Sequence, residues 1–547
     1  MHGLMMDFPL TIDALLRRAR GVFGSRGIVG KNTDGSLHRT TWGDVAARAD
    51  RLAAALRGLG VGKGDRVATF AWNTPRHLEL YFAVPCAGAV LHTLNVRLPA
   101  EQIAWIVRHA ADTVVFVDRA LVPAFAAVLP HVPRANQLRF VVMDDAGRGA
   151  DVRELPGAID HEELLARAAP DAPLPTLDER DAAGLCYTSG TTGDPKGVLY
   201  SHRSTVLHAF GCAMTDSLGI AQNDVVLPVV PMFHAVAWGL PYAAAVTGSS
   251  LVLPGPHLGG DALAALIESE RVTFAAGVPT VWNLVLQSLR KQPRDVSCLR
   301  RIVVGGAPAP RALIESWQRE QGIAITHAWG MTETSPVGSC THASSTGLSP
   351  GDPADLELRG KPGRPVPGLE ARIVDDDGNV LAHDGVATGE LCVRGPWVAR
   401  AYFGADARAN EVFTADGWFR TGDVATIDAN GAIAITDRKK DLIKSRGEWI
   451  SSTALENAAM AFPGVLEAAV CARPDPLRDE APVVFVVPVD RAAPPTPRDL
   501  VAHLALHFAK WQLPRLEDVR FVDAIPKTGT GKFDKKALRR SLRESNE

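Results

Sequence analysis

Between Trp42 and Leu59 the chain sets Ala and Leu on a helical period with Arg between them, and Gly60 closes the run, which predicts an amphipathic helix. Short apolar runs at Arg66–Phe70 and Thr113–Val117 read as strands, and His77–Ala87 between them reads as a helix. The alternation returns at Asp261–Glu270 (helix), Thr273–Gly277 (strand), Val281–Leu289 (helix) and Arg301–Gly305 (strand). Alternation on this scale predicts α/β architecture, with layered sheets covered by helices on both faces. Val225–Val246 is apolar enough to suggest a membrane span, but Pro228, Pro231 and Pro241 interrupt it and His234 stands in its middle. It reads instead as a buried strand, a loop and a helix. Pro170–Pro175 reads as a loop leading into an apolar strand at Ala183–Tyr187, and no internal repeat is visible.

After Gly351 the pattern shortens to strands separated by turns such as Asp375-Asp376-Asp377-Gly378 and Asp428-Ala429-Asn430-Gly431, both hairpin signals. This predicts a small β-rich subdomain ending near Thr436. The charged run Asp437-Arg438-Lys439-Lys440-Asp441 suits an exposed hinge, although an isolated charge cluster is by default a solvated turn. A compact α+β unit is expected beyond it. Thr453 and Glu456 have capping-box spacing for a helix through Met460. Strands follow at Glu467–Ala472, Pro482–Val487 and Val519–Val522, with a helix at Pro497–Lys510. Pro526–Lys532 reads as a flexible basic loop before a final helix, and Lys535 and Lys536 as solvated lysines.

A chain of 547 residues exceeds one core and predicts two or more domains. Its net charge of −3 gives no electrostatic case for a nucleic-acid or membrane-surface partner. Seven cysteines stand singly with no metal-type spacing, which suggests reduced, mostly buried thiols and a cytoplasmic protein. Met1–Leu10 is short, carries Asp7 and lacks the pattern of a secretory signal. A soluble protein with no transmembrane segment is expected.

The chemistry concentrates in Tyr187-Thr188-Ser189-Gly190-Thr191-Thr192-Gly193-Asp194-Pro195-Lys196-Gly197-Val198. Glycines let backbone N–H groups approach oxygen closely, hydroxyls add rotatable donors, and Lys196 brings a positive charge. That combination grips a polyphosphate. It differs from the Walker loop, because Asp194-Pro195 separates Gly193 from Lys196. The loop resembles the signature of the adenylate-forming (AMP-binding) enzymes, and further segments in the same order extend the resemblance over nearly the whole chain. The nearest likeness is to bacterial medium- and long-chain fatty-acid–CoA ligases, notably in Lys444-Ser445-Arg446-Gly447-Glu448-Trp449-Ile450-Ser451, where such ligases often carry Gly at the place of Arg446.

The resemblance implies ATP, Mg2+ and coenzyme A as cofactor and co-substrates, and a role for each motif. Thr188, Ser189, Gly190, Thr191, Thr192, Gly193 and Lys196 would hold the phosphates. His327, Ala328, Trp329 and Thr332 would lie at the nucleotide, with the Trp329 ring on adenine, where most relatives carry Tyr. Glu333 and Thr188 offer the oxygen ligands that a hard cation needs. Asp423, in Thr421-Gly422-Asp423, would accept from the ribose hydroxyls, with Arg438 as a ribose/phosphate arginine and Lys440 at the hinge. Gly305 and Gly306 would form the floor between adenine and the acyl group. His234 would line the site near the acyl phosphate, and Trp238 would gate the acyl tunnel. Lys532 is the expected catalytic cation, delivered on a Gly-flanked loop to where carboxylate and α-phosphate meet. Lys444 and Trp449 would approach the thiol channel.

By the same resemblance, residues 1–437 form the adenylating domain, 438–441 the hinge and 442–547 a mobile C-terminal domain. Gly330 is a position where acetate-type relatives place Trp to shorten the pocket. Phe233-His234-Ala235-Val236 offers no carboxylate for an amino-acid ammonium. An aliphatic carboxylic acid is therefore expected, activated as acyl-AMP and released as acyl-CoA. Ligases for short sulfur-containing acids such as methylthiopropionate share nearly all these motifs, and a luciferase-like oxygenase is an alternative of another class. The resemblance leaves room for a homodimer.

Overall fold

The computed structural model describes residues 1, 3–133, 135–144, 154–168, 174–188, 194–341, 348–349, 351–405, 410–446, 448–529 and 532–544. Among these residues the strands form four sheets, two large and two small. The seven-stranded sheet runs Ile159–Asp160, Arg139–Met143, Val114–Asp118, Arg66–Phe70, Val90–Thr93, Ala182–Tyr187 and Gly197–Ser201 across its width. Its pairings are parallel except the last, where Ala182–Tyr187 and Gly197–Ser201 form an antiparallel edge. The nine-stranded sheet is parallel through Gly27–Lys31, Ser250–Leu253, Val225–Pro228, Phe274–Gly277, Arg301–Val304 and Ile325–Gly330, and antiparallel at both edges.

The near-continuous apolar runs of these parallel strands follow from burial on both faces. Val114–Asp118 is buried along its whole length. Helix Trp42–Gly58 turns Trp42, Val45, Ala46, Ala49, Leu52, Ala53 and Leu56 inward, and Thr41 caps it by accepting from the Asp44 N–H. Val225–Val246 resolves into a strand, a loop and the helix Leu240–Thr247, as its prolines predict. No helix among the described residues is long and apolar enough to cross a membrane. Six of the seven cysteines are buried and Cys298 is partly so; all are unpaired.

The four-stranded antiparallel sheet orders Glu370–Val374, Gly389–Arg394, Phe419–Ile427 and Ile433–Arg438. Strand Phe419–Ile427 alternates buried and half-buried positions, the mark of one covered face. The smaller C-terminal domain is built on Glu448–Ile450, Ile443–Ser445, Asp479–Pro488, Val465–Asp475 and Val519–Phe521. The chain is thus α/β, a large N-terminal domain followed by a small α+β one.

Four local expectations change. The helix expected to Lys510 ends at Leu504, because Leu500 and Leu504 are its buried residues and none beyond them is buried through Lys510. The helix Ser452–Ala461 is capped by Ser451, whose Oγ accepts from the Ala454 N–H at 3.0 Å, rather than by Thr453. Glu456 turns inward instead of closing a capping box, accepting from the Val470 N–H at 2.8 Å and pairing with Lys535 at 2.7 Å. Lys535 is therefore a buried partner and not a solvated lysine. The charged run also begins inside a strand, with Asp437 only 3% exposed. Asp437 Oδ2 accepts from the Ser452 N–H and Oγ–H, both at 2.6 Å, and so ties the last strand of the four-stranded sheet to the first turn of that helix.

Candidate active site

Three of the expected motifs lie at the carboxyl ends of sheet strands, where open α/β sheets collect their ligands. Gly305 and Gly306 follow Arg301–Val304, Trp329 and Gly330 end Ile325–Gly330, and Thr188 follows Ala182–Tyr187. The Thr188 N–H donates to the Lys196 carbonyl at 2.9 Å, which closes the base of the phosphate-type loop. Ser189, Gly190, Thr191, Thr192 and Gly193 lie outside the described residues.

The two glycines are crossed by two large side chains. A Cβ on Gly305 would stand 3.0 Å from Trp238 Cη2, and one on Gly306 would stand 3.6 Å from both Trp238 Cζ2 and Lys532 Cε. Gly306 also has φ +78°, a conformation glycine adopts without penalty. Trp238 and Lys532 thus meet over one floor, although 294 residues separate them in sequence. The Ala328 carbonyl forms the other side of that floor, 3.1 Å from the same Gly305 Cβ position.

Around Lys532 stands a set of charges. Burial, and then the Arg438 guanidinium, push its ammonium down from the ordinary 10.5 to about 8, against the opposing pull of Asp423 and Glu333. Arg438 Nε meets Asp423 Oδ1 at 2.6 Å, two residues placed opposite each other in the register of the four-stranded sheet. That pairing raises the Arg438 pKa. Trp329 Nε1 donates to Asp423 Oδ2 at 2.8 Å. His234 is pushed down to about 3 by burial and by the Lys532 charge, so its imidazole is neutral at ordinary pH. Burial also lowers Lys440, whose carbonyl accepts from Arg539 at 3.4 Å, while Arg539 pairs with Asp441.

Glu333 brings in a residue that sequence reading missed. The Tyr402 hydroxyl donates to Glu333 Oε1 at 2.6 Å, and Lys196 Nζ lies 4.8 Å from the Tyr402 ring centroid. Tyr402 therefore joins the Thr332-Glu333 segment to the base of the phosphate-type loop. Next to it, the Phe403 N–H donates to the Gly197 carbonyl at 2.8 Å and the Ala399 N–H to the Glu333 carbonyl at 2.7 Å. Thr332 is buried, and its carbonyl accepts from the Tyr200 hydroxyl at 2.8 Å. Nothing in Ala401-Tyr402-Phe403-Gly404 carries a chemical signature; its one signal is an aromatic pair set before a glycine.

Trp238 is held by an unusual backbone. Ala235, Val236, Ala237 and Trp238 have φ of 42°, 45°, 52° and 55°, and Gly239 continues the left-handed turn at 73°. Non-glycine residues pay about 1–2 kcal/mol each for this conformation. Behind the turn a cavity of about 10 Å3, room for one water molecule, is lined by Tyr200, Thr205, His208, Val236, Gly239 and Tyr242.

Other expected residues stand apart or have further reasons to be where they are. The His327 ring is buried and Nδ1 lies 3.1 Å from the Gly360 carbonyl. A Cβ on Gly330 would collide with the Pro336 carbonyl, so packing demands glycine there independently of acyl length. Lys444 and Trp449 face each other across the hairpin Ile443–Ser445/Glu448–Ile450, with Trp449 56% exposed. No hydrogen bond, ion pair or ring contact among the described residues joins them to Lys532 or Trp238. Arg446 in that hairpin has φ +54°, which accounts physically for the glycine that related ligases often place there.

Residues 24–403 match the family described as AMP-binding enzyme, and residues 454–532 match the AMP-binding enzyme C-terminal domain. The chain is 45% identical to a 3-methylmercaptopropionyl-CoA ligase of Ruegeria pomeroyi, covering 100% of this chain and 99% of that one. It is 46% identical to a long-chain-fatty-acid–CoA ligase of Thermus thermophilus, covering 98% and 96%. Among solved structures, the anthranilate CoA ligase AuaEII in complex with anthranoyl-AMP superposes with a TM-score of 0.86 at 25% identity, over 99% of both chains.

Proposed function

Since this chain belongs to the AMP-binding enzyme family, as an AMP-forming acid–thiol ligase, we propose that its acid is an aliphatic carboxylic acid of the fatty-acid class. A carboxylate oxygen attacks the α-phosphorus of ATP and pyrophosphate leaves; the CoA thiol then attacks the acyl carbonyl and AMP leaves. The observation that carries this reading is Lys532 lying over Gly306 beside Trp238, with Asp423, Arg438 and Glu333 within electrostatic reach. A cation there offsets the repulsion between the two anions of the first step. Neutral His234 lines the same place without adding charge.

In this reading Asp423 receives the ribose, Arg438 the ribose and phosphate, and Trp329 the adenine. Lys196 and the loop from Thr188 hold the phosphates. The residues present suit Mg2+: Glu333 and the Thr188 hydroxyl are hard oxygen donors, and phosphate and water oxygens complete such a shell. The ion would neutralise phosphate charge; Glu333 and Tyr402 keep its oxygen donors in place. Residues 438–441 act as the hinge between an adenylating domain, 1–437, and a C-terminal domain, 442–547. Rotation about Lys440 withdraws Lys532 and brings Lys444 and Trp449 to the thiol channel. The reading includes a cytoplasmic location, supported by seven unpaired thiols, and leaves room for a homodimer.

A short sulfur-containing acid is the second reading. Its support is the 45% identity to a 3-methylmercaptopropionyl-CoA ligase over the whole chain. A panel of acids from acetate to palmitate, with 3-methylthiopropionate, is assayed with ATP, Mg2+ and CoA for AMP release. The fatty-acid reading expects kcat/KM to rise with chain length to at least the medium-chain acids. A maximum at 3-methylthiopropionate overturns it, and AMP turnover without CoA would point to oxygenase-type chemistry.

A further inference from the structure

Asp423 is 2% exposed and receives two donors from different parts of the fold. Arg438 Nε reaches Oδ1 at 2.6 Å from the neighbouring strand of the four-stranded sheet, and Trp329 Nε1 reaches Oδ2 at 2.8 Å from the end of a strand of the nine-stranded sheet. A carboxylate oxygen has two lone pairs, so each oxygen keeps one acceptor site, two in all. Two donors on opposite oxygens also fix the plane of the group, leaving it no rotation about its last bond. The Trp329 ring is itself held: it packs against the buried cluster of the four-stranded sheet, and Gly338 leaves the space for its edge, where a Cβ would collide. Of the aromatic side chains only an indole combines a flat apolar face with a donor that is never an acceptor. Tyrosine, which most relatives carry there, has a hydroxyl that both donates and accepts.

We propose that Trp329 is the positioning residue that makes Asp423 read a vicinal diol, so that the chain selects ribonucleotide over deoxyribonucleotide through an indole–carboxylate bond as well as through stacking. With both outer lone pairs taken, the remaining two are matched by two adjacent hydroxyls and left half-used by one. This rests on the reading above that Asp423 receives the ribose.

The test compares kcat/KM for ATP, 2′-deoxy-ATP and 3′-deoxy-ATP in carboxylate-dependent pyrophosphate release by the full chain. Wild type is expected to favour ATP by about tenfold or more over each analogue, the worth of one hydrogen bond to a charged group. Trp329→Phe keeps an apolar ring and removes the donor. It should lower kcat/KM for ATP about tenfold and for the analogues less than about twofold, so the preference collapses while the KM for the acid stays put. Gly338→Ala reaches the same bond from the other side by displacing the ring, and should erode the same preference. A Trp329→Phe enzyme that keeps the wild-type preference, at whatever overall rate, overturns the proposal and leaves Trp329 a stacking or packing residue. A wild type indifferent to the missing hydroxyls removes the ribose reading itself, and the inference with it.

Discussion

The groups around Lys532 form a polar wall and are tied to one another: Arg438 and Trp329 to Asp423, Tyr402 to Glu333, with Lys196 over the Tyr402 ring. On the apolar wall, Trp238 and its turn are held by a backbone with four consecutive non-glycine residues at positive φ and by packing around a cavity of about 10 Å3. The first arrangement resists displacement, because withdrawing a donor leaves a buried carboxylate, Asp423 or Glu333, without its partner. The second holds conformational strain that another arrangement of the turn can release. Rigidity thus falls on the side that carries the charged groups, and stored strain on the side that carries Trp238.

Removing the cation that closes the polar wall should have the largest effect. Lys532→Ala is expected to lower adenylate formation by about a thousandfold, in line with loss of a preorganised electrostatic group, and to leave thioester formation from supplied acyl-AMP within a few-fold. Equal losses in both half-reactions would make the lysine structural. The same residue sets a pH limit. Burial pushes its folded pKa from the ordinary 10.5 down to about 8, so the ammonium is half present near pH 8, increasingly complete below and progressively lost above. The adenylation kcat/KM, which reports the free enzyme, should therefore fall as pH rises through about 8. Neutral His234, at about 3, adds no step between pH 5 and 8.

Tyr402→Phe tests the wall one bond further out. It deletes a hydroxyl that donates to Glu333 at 2.6 Å and keeps the ring under Lys196. Loss of a hydrogen bond to a charged group, about 1.5–3 kcal/mol, should raise the Mg2+ and ATP concentrations needed for half-maximal rate by about ten- to a hundredfold. The KM for the acid should not follow, since among the described residues no hydrogen bond or ring contact joins Tyr402 to Trp238. A parallel rise in the KM for the acid would show that the two walls are one mechanical unit and dissolve the contrast between them.

The polar wall was the more legible of the two in sequence, because its chemistry needs particular residue types at particular spacings. Gly306, Asp423, Arg438 and Lys532 lie close together, Gly306 at the end of a parallel strand whose apolar run is itself readable. What escaped were residues whose role comes from a neighbour brought by folding. Tyr402 has meaning only beside Glu333, Asp437 only beside Ser452, and Lys535 only beside Glu456. No local pattern announces these long-range pairs, and a charged run is by default solvated. The left-handed turn was also invisible: Ala235-Val236-Ala237-Trp238 holds no glycine, the residue that normally marks positive φ, and tertiary packing overrides the local preference. Gly330 was readable as an open position, but its collision with Pro336 needed the antiparallel edge to be seen.

The smallest effect, and the sharpest test of the strained wall, is a pair of matched alanines. Ala237 and Ala243 are both wholly buried, but Ala237 lies in the left-handed turn at φ 52° and Ala243 in the ordinary helix Leu240–Thr247. Replacing Ala243 with Gly loses a buried methyl, about 0.8 kcal/mol, and adds helix-interior glycine, about 0.8–1.0 kcal/mol, a cost of about 2 kcal/mol in all. Ala237→Gly loses the same methyl and a similar backbone entropy but recovers the about 1–2 kcal/mol of left-handed strain, so the change should come near zero. Melting temperatures of the two variants, measured under one protocol, read the difference. Relieving the turn should also free Trp238 to move, so Ala237→Gly is expected to gain activity on the longest acids relative to the shortest, with the KM for ATP unchanged. Equal destabilisation by both substitutions would mean that the turn stores no strain. The apolar wall would then be as rigid as the polar one, and adaptation to the acyl chain would have to come from elsewhere in the fold.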